Sequence, residues 1–324
     1  MNVLLVGLGR WGEEHLRVLA RLGATVWAAD LSAARRARAV GQGVAADRAV
    51  ADFRDALPHV EAVDIVTPAD SHRAVAEACL AAGRHCFVEK PLAVSVGDGR
   101  TVAAAARAAG RVVQVGHIFR FHPVTAALRA ALADGRVGAV RYATGRFSGF
   151  KRPRVDVGVT HTDAIHYFDL FAHLLGRPAT TVTSVQRDYL GRGLDDMSST
   201  TVIYGDVPVF VEANYFVPGT HRDCVIVGER GTLVADYGAS TVTLHAGAHQ
   251  LRQGVWEALD AGKEELPVRG EEPLRLELTA FLEACRGRGE NPVPAEAGVQ
   301  ALEIVEAAAR SARLDRPVAV VEIR

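Results

Sequence analysis

The stretch Val3-Leu4-Leu5-Val6-Gly7-Leu8-Gly9-Arg10-Trp11-Gly12 decides the fold. Four apolar residues run without interruption into glycines spaced G-x-G-x-x-G. An unbroken apolar run suits a strand buried on both faces, and residues 13–22 behind the glycines have helical spacing. Strand, glycine turn and helix in that order form a dinucleotide-binding fingerprint. Gly7 permits the tight turn, Gly9 lets the backbone approach a pyrophosphate, and Gly12 lets the helix pack close to the sheet. The pyrophosphate is expected at the positive end of that helix.

Outward from this turn the pattern repeats. Apolar runs at 26–29, 62–66, 86–88 and 112–115 alternate with helix-spaced stretches at 33–40, 71–82 and 97–109. Such alternation implies βαβ units and a doubly wound parallel sheet. Asp30 closes the second strand, 18 positions after Gly12. An acid there accepts hydrogen bonds from the adenosine ribose and repels a 2′-phosphate, which favours NAD over NADP. Arg35 and Arg36 lie a few residues on; they could blunt that preference, though a solvated helix face suits them better.

After Pro123 the texture changes. A helix is expected at 124–133, then strand-length runs at 139–147, 180–188, 199–204, 208–216, 223–227, 232–236 and 241–245, punctuated by Gly and Asp. A helical stretch at 162–175 interrupts them, and further helices are expected at 272–286 and 295–312. The reading is a Rossmann domain at 1–120, then an α+β domain at 121–324 with a large, mainly antiparallel sheet. The second domain would bind substrate and pair subunits into a homodimer or homotetramer, and the C-terminal helix would pack back on the first.

Composition excludes several classes. Lys and Arg number 37 against 38 Asp and Glu, so nucleic acid and anionic membranes are poor partners. Hydrophobic residues make up 49% of the chain, enough for sizeable cores. The four cysteines show no ligand spacing, which points to free thiols in a reducing cytoplasm and to no metal site. No window approaches a membrane-spanning length of apolar residues.

Three further segments carry a family likeness. Thr67-Pro68 with His72, Glu89-Lys90-Pro91, and Gly116-His117-Ile118-Phe119-Arg120-Phe121-His122-Pro123 each follow a predicted strand. Together with the glycine motif they resemble the glucose–fructose oxidoreductase / inositol dehydrogenase / MocA family over nearly the whole chain. Trp11-Gly12 with His15, Val115-Gly116-His117 with Arg120-Phe121, and Asp156-Val157-Gly158-Val159 look closest to its nucleotide-sugar 3-dehydrogenase branch.

The resemblance implies roles. Lys90 would face both the nicotinamide ribose and the reacting hydroxyl, oriented by Glu89. Physically, a cation at the C-terminal edge of a parallel sheet lies where doubly wound folds bind ligands, and it can stabilise a developing alkoxide. Gly7, Gly9, Arg10, Trp11, Gly12, Asp30, Thr67, Pro68, His72, Glu89, Lys90 and Pro91 would form the cofactor site, with Lys90–Pro91 in the cis form. In Thr160-His161-Thr162-Asp163-Ala164-Ile165-His166 the family usually has an acid four residues before the histidine; here Thr162 holds that place and the acid stands at Asp163. His166, or Lys90 with its pKa lowered by burial and the cofactor charge, is then the expected base, with His161 a further candidate. Thr162 keeps only a hydrogen bond and Asp163 is the displaced acid; a hydrogen-bonded core histidine is the alternative reading of His166. Asp163 is otherwise a helix-capping acid. Arg120, Arg154, His161 and His166 are the expected substrate contacts. The basic stretch Arg146, Lys151, Arg152 and Arg154 suits a substrate anion, or else a solvated strand face.

The expected function is an NAD(P)-dependent dehydrogenase that oxidises a secondary hydroxyl of a sugar or nucleotide sugar, or reduces the matching ketone. The alternatives are a NAD-binding sensor or partner protein with a degenerate catalytic site, and a redox-neutral NAD-using glycoside hydrolase.

Overall fold

In the computed structural model, which describes residues 1–323, the first strands form as the apolar runs dictate. They are β1 (Asn2–Val6), β2 (Thr25–Ala29), β3 (Ala49–Val50), β4 (Ala62–Ile65), β5 (His85–Glu89) and β6 (Val113–Gly116). All pair in parallel, in the order β3-β2-β1-β4-β5-β6. The helices between them are α1 (Arg10–Arg21), α2 (Ala33–Gly41), α3 (His72–Ala81) and α4 (Val96–Ala109). The order reverses at β1, which puts the first glycine turn at a topological switch point, where open α/β sheets bind ligands. β3 is only two residues long, too short to register as an apolar run.

The second sheet has nine strands. Helix α5 (Pro123–Ala133) leads into β7 (Val140–Gly149), and α6 (Ile165–Leu175) follows. Then come β8 (Ala179–Arg187), β9 (Met197–Tyr204), β10 (Val207–Asn214), β11 (Thr220–Gly228), β12 (Gly231–Asp236), β13 (Thr241–Arg252) and β14 (Val255–Leu266). Helices α7 (Pro273–Cys285) and α8 (Ala295–Leu314) precede β15 (Val318–Ala319). The order is β14-β13-β12-β11-β7-β10-β9-β8-β15, and only β7 with β10 is parallel. Helix α6 sits on this sheet by its aromatic face. Tyr167, Phe168 and Phe171 are fully buried, and a Cβ on Gly145 of β7 would lie 2.5 Å from the Tyr167 ring. Only glycine leaves room for that ring.

Strand β14 is absent from the sequence expectation. Its Trp-Glu-Ala-Leu-Asp-Ala-Gly-Lys-Glu-Glu run is almost wholly exposed, so no inward face imposes an alternation. Cross-strand pairing with β13 holds it, from Val242↔Leu266 to Arg252↔Val255.

The chain divides into two compact units: Met1–Ile118 with Glu272–Leu302, and Phe119–Glu271 with the residues from Glu303 on. The change of sequence texture near 120 thus marks one passage between units, but the chain returns to the first at Glu272. Burial explains the return. Leu274, Leu278, Phe281 and Leu282 of α7 join Leu8, Leu16, Leu19 and Phe87 in one apolar core. The Phe281 and Phe87 rings meet edge to face at 5.7 Å. The first unit is therefore completed from two segments of the chain. The part of α8 that joins it ends at Leu302.

Candidate functional site

The glycine turn is built as its spacing requires. Gly7 has φ +98°, and a Cβ there would lie 2.5 Å from the Val66 carbonyl oxygen. A Cβ on Gly12 would lie 2.0 Å from the Gly7 oxygen. Gly9, which precedes α1, faces open space, so a ligand can approach its backbone. Arg10 and Trp11 are exposed on the first turn of α1. The Asp30 carboxylate accepts the Leu8 amide at 2.9 Å and the Ser32 amide at 2.8 Å, with Arg35 Nη1 at 3.3 Å. Burial raises the Asp30 carboxyl's affinity for its proton, but these amides and Arg35 outweigh it and hold the group below the usual range. Arg35 is thus engaged by Asp30 itself, and Arg36 donates to the Asp30 carbonyl at 2.7 Å. A fixed anion at the end of β2 and an open helix N-terminus beside it fit NAD.

His72 ties two motif segments together. Its Nδ1 is 2.8 Å from the Pro91 oxygen and its Nε2 is 2.9 Å from the Thr67 oxygen. The Ser71 hydroxyl donates to Thr67 Oγ1 at 2.7 Å. Pro68 is exposed at the rim of this segment. The Lys90–Pro91 bond is cis. Glu89, at the end of β5, is buried and fully used: Oε1 accepts the Trp11 indole N–H at 2.9 Å, and Oε2 accepts the Lys90 amide at 3.0 Å. Behind it, His15 Nδ1 meets Asp64 Oδ2 at 2.8 Å, while Nε2 lies 3.3 Å from Glu89 Oε1. Burial weakens the Glu89 carboxyl as an acid, yet His15, Trp11 and Lys90 together hold it below the carboxylate range.

In the second unit, the residues expected to act lie at the entry to α6. The chain reaches α6 through a π turn over Thr160–Ala164, a form often found at functional sites. Asp195 pins its start: Oδ2 accepts the Thr160 amide at 2.8 Å and the Thr160 hydroxyl at 2.6 Å. A Cβ on Gly158 would lie 1.7 Å from Asp195 Oδ1, so the turn needs glycine there. Thr162 Oγ1 is 2.9 Å from the Tyr215 hydroxyl. Asp163 does not cap α6; its Oδ2 is 2.8 Å from Lys151 Nζ. His161 is half-buried on the same turn. His166 is buried among aromatic rings, 5.2 Å from Phe147 at an interplanar angle of 6° and 4.9 Å from Phe119. The Arg222 guanidinium lies 3.3 Å from the Phe147 ring centroid.

The basic stretch is mostly committed within the fold. Arg146 pairs with Asp223 at 2.9 Å, Lys151 with Asp163 at 2.8 Å, and Arg154 with Asp156 at 2.5 Å. Arg120 holds Asp169 by two bonds, at 2.8 and 2.5 Å, a geometry that braces α6.

Within the first unit the structure therefore gathers Trp11, Glu89 and Lys90, and within the second Thr162, Asp163 and His166 on one turn. Sequence reading assigned no role to Asp64, Asp195, Tyr215 or Arg222, and used His15 only for its likeness. One signal was available for Asp64. A carboxylate inside the apolar run Ala62-Val63-Asp64-Ile65 must find a partner once buried. No local spacing announces Tyr215, which follows β10, or Arg222, which lies on β11.

Comparisons with known proteins agree with this layout. Residues 1–117 match the model of the GFO/IDH/MocA oxidoreductase family's NAD-binding Rossmann fold, and residues 129–320 match that of the family's C-terminal alpha/beta domain. Inositol 2-dehydrogenase 1 of Saccharopolyspora erythraea is 32% identical, over 99% of this chain and 96% of that protein. UDP-N-acetylglucosamine 3-dehydrogenase of Acidithiobacillus ferrooxidans is 33% identical, over 57% of this chain and 58% of that protein. The aldose-aldose oxidoreductase of Caulobacter crescentus shares the fold with a TM-score of 0.86 at 19% identity, covering 98% of this chain and 99% of that one.

Proposed function

The chain belongs to the GFO/IDH/MocA oxidoreductase family and carries its NAD-binding Rossmann fold, and from that premise we propose that it interconverts a secondary hydroxyl and a ketone on a sugar or nucleotide sugar. Bound NAD supplies the hydride acceptor. The protein does the rest. Gly7, Gly9 and Gly12 admit the pyrophosphate at the start of α1, with Arg10 and Trp11 beside it. Asp30 takes the ribose hydroxyls, and its negative charge favours NAD over NADP. Thr67, Pro68, His72 and Pro91 shape the pocket around Lys90.

The proton chemistry falls to two side chains. His166 takes the hydroxyl proton, and Lys90 places a positive charge where the alkoxide develops. Lys90 comes from the first unit and His166 from the second. Thr162 holds Tyr215 and Asp163 holds Lys151, which together line the approach to His166. Arg154 and His161 contact the substrate beyond the reacting carbon; Arg120 serves through Asp169. We also assign the outer face of the second sheet, with Tyr142, Phe210 and Val234 exposed, to pairing of subunits as a homodimer or homotetramer in the cytoplasm. Among the described residues no helix is long and apolar enough to cross a membrane.

One observation carries the reading: Lys90 follows β5 with its amide held by the buried Glu89, in the sheet whose glycine turn fits NAD. Steady-state turnover of sugars and nucleotide sugars with NAD, and with NADP alongside, tests it. NADH formation from such a substrate, lost in Lys90→Ala and in His166→Ala, is the expected result.

A further inference from the structure

The buried charges beneath Lys90 exceed what a fold needs. Asp64 and His15 are fully buried and Glu89 nearly so, on three different elements, β4, α1 and β5. Burying ionised groups is costly unless each is paired and hydrogen-bonded. An apolar trio of like volume would fill this space at no such cost, and neighbouring positions in the same layer, Leu16 and Phe87, are apolar.

The bonds run in one direction. Asp64 Oδ2 fixes His15 Nδ1, and His15 Nε2 faces Glu89 Oε1. Trp11 donates to that same oxygen from the first turn of α1. Glu89 Oε1 thereby accepts the Trp11 indole N–H and faces His15 Nε2 at 3.3 Å, both from α1, and its other oxygen holds the Lys90 amide. Aromatic rings and backbone pack close around these groups. The Phe87 ring lies 5.6 Å from His15, the Trp11 ring 5.7 Å away, and a Cβ on Gly116 would lie 2.8 Å from Glu89 Oε1. Helix α7, which packs on α1, brings the buried carboxyl Glu277 to this unit.

We propose that His15, set by Asp64, is a positioning residue. With Trp11 it clamps Glu89, and through Glu89 it fixes Lys90 relative to the helix whose N-terminus receives the cofactor. The chain Asp64–His15–Glu89–Lys90 is then one rigid piece. Its charge pattern alternates, so it keeps a compensated interior while presenting a single cation at the sheet edge. The arrangement gives His15 no route to a substrate proton: its two ring nitrogens face Asp64 and Glu89, and the ring is fully buried. It acts through Lys90 alone, and in that sense rests on the functional reading of Lys90 given above.

The chain has three lysines, Lys90, Lys151 and Lys263, which makes the test direct. In protein carrying isotope-labelled lysine, the side-chain resonances are assigned with Lys90→Arg and followed against pH in the wild type and in His15→Gln, which keeps an N–H but no charge. The expected result is a displaced Lys90 resonance with an altered titration midpoint, while Lys151 and Lys263 stay in place. Turnover then falls about tenfold to a hundredfold with NAD affinity kept, as misplacement of a reacting group predicts. A folded His15→Gln protein whose Lys90 resonance and titration match the wild type overturns the proposal. Should His15→Gln fail to fold, Trp11→Phe removes the other donor of the clamp from an exposed position and must displace Lys90 in the same sense. If wild type turns over no sugar yet His15→Gln displaces Lys90, the functional reading falls and the positioning role stands.

Discussion

His15 in the first unit and His166 in the second are both buried imidazoles one helical turn or less from a motif, and their surroundings differ in kind. His15 sits between two carboxylates; His166 sits among Phe119, Phe147 and the Arg222 guanidinium that covers Phe147. A ring between carboxylates keeps its proton. Burial alone would strip it, but Asp64 and then Glu89 outweigh burial and push the His15 pKa up to about 10. His166 is instead packed against two aromatic faces. His15 is therefore fitted to hold a position, whereas His166 is the residue proposed above to exchange a proton.

The largest effect that would break this contrast is kinetic. His166→Ala and Lys90→Ala are each expected to lower kcat by about 10²–10⁴ with NAD affinity largely kept. Near-normal turnover in His166→Ala would move the base elsewhere, to His161 or Asp163.

The second effect is in stability, and it sharpens the contrast. The folded pKa of His15, about 10, lies above its ordinary value of 6.5. Its contribution is fully present below pH 6.5 and is lost as pH rises through about 10. The thermal midpoint should fall across that window, and His15→Gln should flatten the fall. An equal alkaline fall in His15→Gln would show that other groups cause it.

Much of the first unit is legible in sequence, because its motifs are local. Gly7, Gly9 and Gly12 serve one turn, and Glu89-Lys90-Pro91 follows one strand. The second unit is harder, because its site is assembled across distance. Tyr215, just after β10, meets Thr162 on a turn that starts at Thr160, and Arg222 of β11 covers the Phe147 ring that packs on His166. One of the acids that neutralise the basic stretch is equally remote: Asp223 lies 77 positions from Arg146. Sequence neighbours alone leave the partner of Arg146 hidden. The return of the chain at Glu272 is hidden for the same reason, since an amphipathic helix does not say which core it covers.

Smaller effects probe each half. Asp30→Ala should weaken NAD binding about tenfold and narrow the gap to NADP, since a charged hydrogen-bond acceptor and a repulsive charge both go. Titration of each cofactor by calorimetry measures this, and a wild type that already prefers NADP would contradict it. Thr162→Ala should cost less turnover than His166→Ala. Its main effect is a loss of about 1–2 kcal/mol in stability, because the Tyr215 hydroxyl loses a buried partner. Denaturant unfolding measures that loss, and a turnover drop as deep as that of His166→Ala would give Thr162 a direct chemical part.

The most direct test of the central claim is the absorbance of NADH formed when the wild-type protein meets a panel of nucleotide sugars and free sugars with NAD. The account predicts stoichiometric NADH and ketone from at least one of them, abolished in both Lys90→Ala and His166→Ala. NAD binding without NADH from any sugar, or product formed with no net NADH, would contradict it.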